Sequence, residues 1–342
     1  MKILFIGGNG NISWYCIQEA IRQRHEVWML HRGATTETRR KTQPEVTVLH
    51  ADTRDYNATK RVLGELKFDV VIDFICYNKE QAQFDIRMFE NITDQFVFIS
   101  TTSVYERESI NLPYREGSPK DLNSIREYTR NKLKAERAFR QAYTYAGFPV
   151  VIIRPCYTYD TIIPVSCGLN DWTVAQRILD GKPPIILGDG SNLFTFTHSK
   201  DFASALIPLC EHPDAVGEVF NITGDEVLNW KEATNILCET LGVKTDYLYI
   251  PTEYVCRYLE RMNPIKTKDM VSDFRSQKMW SDVFNNDKIK RFVPGWNPDT
   301  TLRTGLRETI DWMHGETKRK RIDPVIDELL DGLTERFVGM MR

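Results

Sequence analysis

The sequence predicts a doubly wound α/β protein: a parallel sheet covered by helices on both faces, with a smaller α+β lobe laid against it. Two observations carry that prediction. Short apolar runs alternate with segments of helical periodicity through the first half of the chain, the pattern of repeated βαβ units. Runs such as Val150-Val151-Ile152-Ile153 are uninterrupted and β-branched, which suits strands buried on both faces.

Taken in order, Lys2–Ile6 is expected to be a strand. Asn11–Gln23 is expected to be a helix, because Ile12, Cys16, Ile17, Ala20 and Ile21 fall on one face. Strands at Val27–Leu30 and Val46–His50 lead to a helix at Tyr56–Leu66, a strand at Val70–Ile75, a helix at Lys79–Phe89 and a strand at Phe96–Ser100. A long helix over Arg126–Ala146 is stopped by Gly147 and Pro149 before the strand Val150–Ile153. Beyond Arg154-Pro155 the pattern loosens. Helices are expected at Asn170–Leu179, Lys200–Cys210, Trp230–Leu241 and Thr252–Met262, with strands at Ile185–Leu187, Val219–Ile222 and Tyr247–Ile250. Past the basic run Lys318 to Arg321, residues Ile322–Met341 form an amphipathic helix with Pro324 in its first turn, expected to pack on its own body or on a second subunit.

Composition narrows the function classes. Lys+Arg 45 against Asp+Glu 47 leaves a net charge of −2 over 342 residues, so no global field attracts nucleic acid or acidic lipid. The longest apolar runs are strand-sized, short of the ~20 residues that span a bilayer. The N-terminus enters a glycine-rich turn too early for a secretory signal. Seven scattered cysteines without a CxxC pair point to reduced thiols in a cytoplasmic protein, and isolated histidines give no metal site.

The turn Ile6-Gly7-Gly8-Asn9-Gly10-Asn11-Ile12-Ser13 lies between the first strand and the first helix. Glycines there let backbone approach a pyrophosphate, whose charge meets the free N–H groups of the helix start. Ser13 stands where a third glycine usually permits close packing. Residues 1–155 are therefore expected to be an NAD(P)-binding Rossmann-type domain. Residues 156–315 form a substrate lobe interleaved with it, and 316–342 the C-terminal helix. The second strand ends in His31-Arg32 rather than an acidic residue, with Arg39, Arg40 and Lys41 nearby. A guanidinium there suits the 2′-phosphate of NADP, with NAD the alternative and a solvated loop cation the bland reading. Asp52, after the third strand, either bonds the adenine edge or caps the strand end.

Tyr128 and Lys132 stand one helical turn apart on one face. A phenol ionises near pH 10, and a cation close by favours the phenolate. Such a tyrosine can take a proton from an alcohol while hydride leaves for a nicotinamide. Upstream, Ser100-Thr101-Thr102-Ser103 ends the preceding strand, where ligands bind in open α/β sheets.

These features together resemble the extended short-chain dehydrogenase/reductase superfamily, and within it the NAD(P)-dependent epimerase/dehydratase family. The likeness runs from Met1 to about Trp312 and includes Arg154-Pro155, Gly188-Asp189-Gly190 and Gly295-Trp296-Asn297-Pro298. It implies that Thr101 orients the substrate hydroxyl or carbonyl, that Tyr128 is the acid/base, and that Lys132 binds the nicotinamide ribose. It further implies cofactor contacts at Gly7, Gly10, the backbone of Asn11 and Ile12, Asp52 and Thr53, with Arg32, Phe74 and Cys156 at other parts of the cofactor. A secondary alcohol or carbonyl of a sugar or nucleotide-sugar-like metabolite is the implied substrate, and a homodimer the implied assembly.

The departures are informative. Family dehydratases carry Asp-Glu directly after the threonine, whereas this chain has Thr102-Ser103, so 4,6-dehydration is disfavoured. Phe194 stands where an arginine usually clamps a nucleotide-sugar diphosphate. Trp172, Phe194, Phe196 and Trp230 are expected in the core, and His198 as a structural histidine. Tyr157 or Tyr159 is expected to touch ligand. The competing class is a non-catalytic NADP-sensing or RNA-binding relative of the fold.

Overall fold

The computed structural model describes residues 1–33, 40–107 and 111–341. Strand β1 (Lys2–Ile6) is followed by α1 (Ser13–Arg22), β2 (Glu26–His31), β3 (Thr47–His50), α2 (Tyr56–Leu63) and β4 (Phe68–Asp73). Next come α3 (Lys79–Phe89), β5 (Thr93–Ile99), α4 (Glu127–Ala146), β6 (Val150–Pro155), β7 (Tyr157–Tyr159), α5 (Thr173–Leu179), β8 (Ile185–Leu187) and β9 (Leu193–His198). Then follow α6 (Ser199–Leu209), β10 (Val219–Ile222), β11 (Val227–Asn229), α7 (Trp230–Thr240), β12 (Leu248–Ile250), α8 (Thr252–Met262) and α9 (Pro264–Asp273). A π-helical turn at Phe274–Lys278, α10 (Asp287–Phe292), α11 (Leu302–His314) and α12 (Pro324–Met341) complete the chain.

Strands β10-β6-β5-β4-β1-β2-β3 form one sheet in that order, all parallel. The order reverses between β1 and β4, and the crevice beyond the strand ends at such a reversal is where ligands bind in this architecture. Alternate strand residues feed two cores. Ile3, Phe5, Met29 and Ile72 pack with α1 and α6, while Leu4, Ile6, Val71 and Phe98 pack with α3 and α4. Strand β10 takes the sheet edge, and α6 packs on α1, so residues beyond 155 complete the layers of the large sheet.

The smaller lobe holds a mixed sheet, β11-β9-β7, and a parallel pair, β12-β8. No strand is expected from the sequence at Tyr157–Tyr159, Leu193–His198 or Val227–Asn229. The two short ones carry too little periodicity to register, and Leu193–His198 is buried at every residue after the first, which hides the two-residue alternation. Helix α12 lies on its own body: Ile326, Leu329, Leu330 and Leu333 enter a core with α8, and Arg177 pairs with Asp327 and Asp331.

The sheet and α4 are locked by an ion pair out of reach of water. Arg154, at the end of β6, is 0% exposed and meets Glu136 of α4 through two bonds, 2.8 and 2.6 Å. Ser100 Oγ donates to the same carboxylate at 2.6 Å, and Arg154 also reaches Tyr105 Oη and the carbonyl of Glu116 at 3.1 Å. Burial alone would raise the Glu136 carboxyl, but the guanidinium and the serine hydroxyl more than offset it and hold it below its ordinary value. Removing either partner leaves a buried charge without its counter-ion. Arg154→Met or Glu136→Leu alone is expected to cost about 3–5 kcal/mol in urea unfolding, and the double variant much less. A double variant that loses the sum of the two single losses would show the pair to be energetically idle.

Candidate active site

The glycine-rich turn is shaped by what surrounds it. Gly7 has φ +83°, and a Cβ there would lie 2.5 Å from the Ile75 side chain. A Cβ on Gly8 would lie 2.2 Å from Met29 Sδ and 2.5 Å from Ile17, so Gly8 lets α1 close on β2. Ser13 is buried, and its hydroxyl accepts the Gly10 N–H at 2.9 Å, so a small polar residue serves where a third glycine is usual. The Asn11 side chain is bound away from the turn: it donates to Thr158 O and accepts from Thr161 N, both at 2.9 Å. What Asn11 and Ile12 offer a ligand is therefore backbone, at the start of α1 where N–H groups lack intrahelical partners.

Beyond the turn, the ends of β1 to β4 enclose a cavity of about 300 Å³. Gly7, Gly8 and Asn9 form one wall; His31 and Arg32, then Asp52, Thr53 and Arg54, form the rim; Asp73, Ile75, Cys76, Phe84 and Asp85 close the rest. Asp52 Oδ1 accepts Arg54 N at 3.0 Å, so it caps its own turn while lining the cavity. Arg54 was not anticipated; the signal available was a cation two residues after Asp52.

One expectation needs correction, and two expected residues lie apart from this cavity. Arg40 is not free for a phosphate: it pairs with fully buried Asp160, and its guanidinium lies over the rings of Trp14 at 4.5 Å and Trp312 at 5.2 Å. Arg39 lies outside the described residues. Phe74 does not line the cavity; it points to the α1 face of the sheet and stacks on Phe5 at 6.3 Å, because side chains alternate along a strand end. Cys156 also lies outside the cavity, with Sγ 2.9 Å from Thr197 Oγ1, and burial pushes its thiol up to about 12.

Lys132 is 5% exposed, and its ammonium donates to Cys76 O at 2.7 Å and Ile99 O at 2.8 Å, carbonyls just beyond β4 and at the end of β5. Tyr128, one turn earlier, is half-buried. Its ring has Lys132 Nζ 5.9 Å from the centroid, the Arg126 guanidinium at 4.9 Å and the Tyr77 ring at 5.7 Å. Thr101 caps the turn after β5: its hydroxyl accepts Ser103 N and contacts Ser103 Oγ, both at 3.1 Å. Arg126 reaches Ser103 Oγ at 3.4 Å and pairs with Asp273 of the smaller lobe at 3.0 Å, bridging the two lobes beside Tyr128. Neither Arg126 nor Tyr77 carries a pattern that singles it out in sequence.

Other aromatic expectations sort by burial. Trp172, Phe194, Phe196 and Trp230 are core, with Phe194 4.6 Å from Trp230 between centroids. The Tyr157 hydroxyl donates to Asn170 at 2.6 Å and that of Tyr159 to Thr301 O at 3.3 Å. His198 is structural: fully buried, it lies between Tyr15 and Tyr159 with centroids 5.4 and 5.2 Å away. Among the described residues, no group of three His, Cys, Asp or Glu could hold a metal ion, and no helix is long and apolar enough to cross a membrane.

A model of the NAD dependent epimerase/dehydratase family matches residues 3–223. The chain is 24% identical over 343 residues to the chloroplast stem-loop binding protein of 41 kDa b of Arabidopsis thaliana, covering 96% of this chain and 84% of that one. It is 21% identical over 299 residues to the 2′-dehydrokanamycin reductase of Streptomyces kanamyceticus, covering 86% and 80%. The UDP-glucuronic acid 4-epimerase of Bacillus cereus, solved in complex with NAD, has the same fold, with a TM-score of 0.70 at 19% identity over 92% of this chain and 99% of that one.

Burial, reinforced by Lys200 and Arg40, lowers the His198 imidazole to about 4. The native state thus binds its proton less readily than the unfolded chain. The stability this gives is complete above about pH 6.5 and fades as pH falls towards 4, by about 3 kcal/mol in all. In urea unfolding between these limits, His198→Gln is expected to lack that part of the acid sensitivity; a slope equal to the parent's would remove His198 as its source.

Proposed function

The chain belongs to the NAD dependent epimerase/dehydratase family of the extended short-chain dehydrogenase/reductase superfamily, and on that premise we propose that it moves hydride between NADP and a secondary alcohol or carbonyl of a sugar or nucleotide-sugar-like metabolite. The observation that carries this reading is the buried Lys132, held by carbonyls beside β4 and β5 with Tyr128 one turn away.

The donor set fits the cofactor. A glycine turn at a helix start would receive a pyrophosphate, Asp52 and the backbone of Thr53 an adenine, and the guanidinium groups of Arg32 and Arg54 a ribose 2′-phosphate. When bound, the nicotinamide supplies the acceptor or donor of hydride. Tyr128 Oη takes the proton from the substrate hydroxyl, or returns it in the reverse direction. Lys132 holds the nicotinamide ribose, Thr101 orients the reacting oxygen, and the Arg126–Asp273 bridge keeps the lobes together over the site, limiting water.

Elimination finds no acid and base here, since neither the Thr102 nor the Ser103 hydroxyl ionises near neutral pH and Ser103 is engaged by Arg126. Phe194 is locked in its ring cluster, which weighs against a diphosphate clamp at that position. Two cations at the NADP rim favour a reductase that releases its cofactor over an epimerase that keeps it. A cytoplasmic homodimer belongs to the same reading. A second reading, nucleic-acid binding without catalysis, has the exposed row Lys134, Arg137 and Arg140 on α4 in its favour, in a chain similar to a stem-loop binding protein.

Mass spectrometry of nucleotide released on denaturation is expected to give NADP, or an empty site that prefers NADPH to NADH. Retained NAD would replace the reductase with an epimerase. Tyr128→Phe is expected to lower turnover about 10²–10⁴-fold while NADPH binding holds within about twofold. Unchanged turnover would discard Tyr128 as acid/base, and salt-sensitive RNA binding with no turnover in the parent would favour the second reading. Arg32→Ala and Arg54→Ala are each expected to weaken NADPH binding about tenfold and NADH binding little.

A further inference from the structure

Two buried carboxyl groups line the same cavity. Asp73, the last residue of β4, is 2% exposed and accepts N–H bonds from Ile75 at 2.5 Å and Cys76 at 2.9 Å. Asp85 of α3 is 3% exposed and in hydrogen-bonding contact with Asp73, and its Oδ2 is buried with no donor among the described residues. Two carboxylates in contact away from water cannot both ionise. The one with backbone donors is suited to carry the charge, and the one without them must bring its own proton.

The turn these carboxyls hold reaches both ends of the site. Ile75 lies against Gly7, where the pyrophosphate wall is, and the Cys76 carbonyl receives Lys132. We propose that Asp73 and Asp85 share one proton, and that this proton positions the Ile75–Cys76 turn on which dinucleotide binding depends. Asp85 donates to Asp73, Asp73 accepts from the two backbone amides, and the turn presents Cys76 O to the Lys132 ammonium. Asp73 and Asp85 are positioning residues for a bound dinucleotide, and the role rests on the cofactor reading above. Loss of the proton puts two negative charges in contact, forces the turn open, and weakens cofactor binding as pH rises.

The groups that face the pair are few. Cys76 comes from the turn itself; its thiol, pushed up by burial, is in hydrogen-bonding contact with Asp85, and Lys132 from α4 acts on Asp73. Along the cavity stand His31 and Arg32 after β2, and Asp52 and Arg54 after β3. From α2, Tyr56 meets the pair's helix through Phe84, 5.8 Å between centroids, with Arg87 over its ring. Burial and the charge of His50 both lower His31. Burial raises both carboxyls, Asp85 the more strongly, with the charge of Asp73 adding to its shift.

The test measures NADPH and NADH dissociation constants from about pH 5 to about pH 9, the span in which a strongly raised buried carboxyl ionises. The intact parent is compared with Asp85→Asn and Asp85→Ala. Thermal unfolding of the same proteins without nucleotide is followed over the same range. Parent affinity is expected to fall with rising pH, by at most about tenfold per unit for one proton. Asp85→Asn, an amide that still donates to Asp73, is expected to lose that fall for NADH and to keep for NADPH only the change due to its own 2′-phosphate, which titrates at about pH 6. Asp85→Ala is expected to bind weakly at every pH. Without nucleotide, the parent's midpoint is expected to fall relative to Asp85→Asn as pH rises, because a native pKa above the unfolded value stabilises only while the proton stays bound. Parallel pH profiles for parent and Asp85→Asn, in both binding and unfolding, would overturn the shared proton and leave the cofactor reading standing. A parent that binds neither nucleotide at any pH would overturn the cofactor reading and the positioning role together, while the unfolding profiles would still report the proton.

Discussion

A lysine ammonium out of water must have acceptors, and Lys132 finds them in the main chain beside β4 and β5. That requirement fixes where α4 lies along the sheet. Four residues before it, Tyr128 is brought to the strand ends; four residues after it, Glu136 meets Arg154 and Ser100. One helix face thus carries a phenol, the anchor and a buried counter-charge in successive turns. Main-chain carbonyls at strand ends vary little in position, so the anchor depends on the sheet more than on any loop.

The cavity beside it is arranged by charge. Cations stand at its open rim, Arg32 and Arg54, while the acids Asp73 and Asp85 are buried at its closed side. Exposed guanidinium groups can meet an anionic ligand without losing hydration twice, whereas carboxyls inside must be satisfied by backbone amides or by a proton. The same logic explains Arg40. It follows the basic stretch of the β2–β3 connection, yet a buried Asp160 and a bed of aromatic rings take it up, removing it from the nucleotide side.

Much of the fold is legible in the chain because local signals agree with the global one. The Gly7–Ser13 turn, the Tyr128/Lys132 spacing and Arg32 lie at the places their patterns imply, since each depends on neighbours close in sequence. Phe74 and Cys156 lie apart from the cavity for a common reason. Each sits at a strand end, where one step along the backbone turns a side chain to the opposite face, and only the sheet decides which face is the cavity.

The sequence by itself determined the parallel sheet, the glycine-rich turn and the helix bearing Tyr128 and Lys132, because strand and helix periodicities and glycine positions are local properties. Tertiary structure alone decided which charges are paired and which are free. Arg154 with Glu136, Arg40 with Asp160, Arg126 with Asp273 and Asp73 with Asp85 are separated by up to 147 residues in the chain, and the shortest gap is 12. A charge's partner is set by distance and by exclusion of water, and neither is written in local pattern.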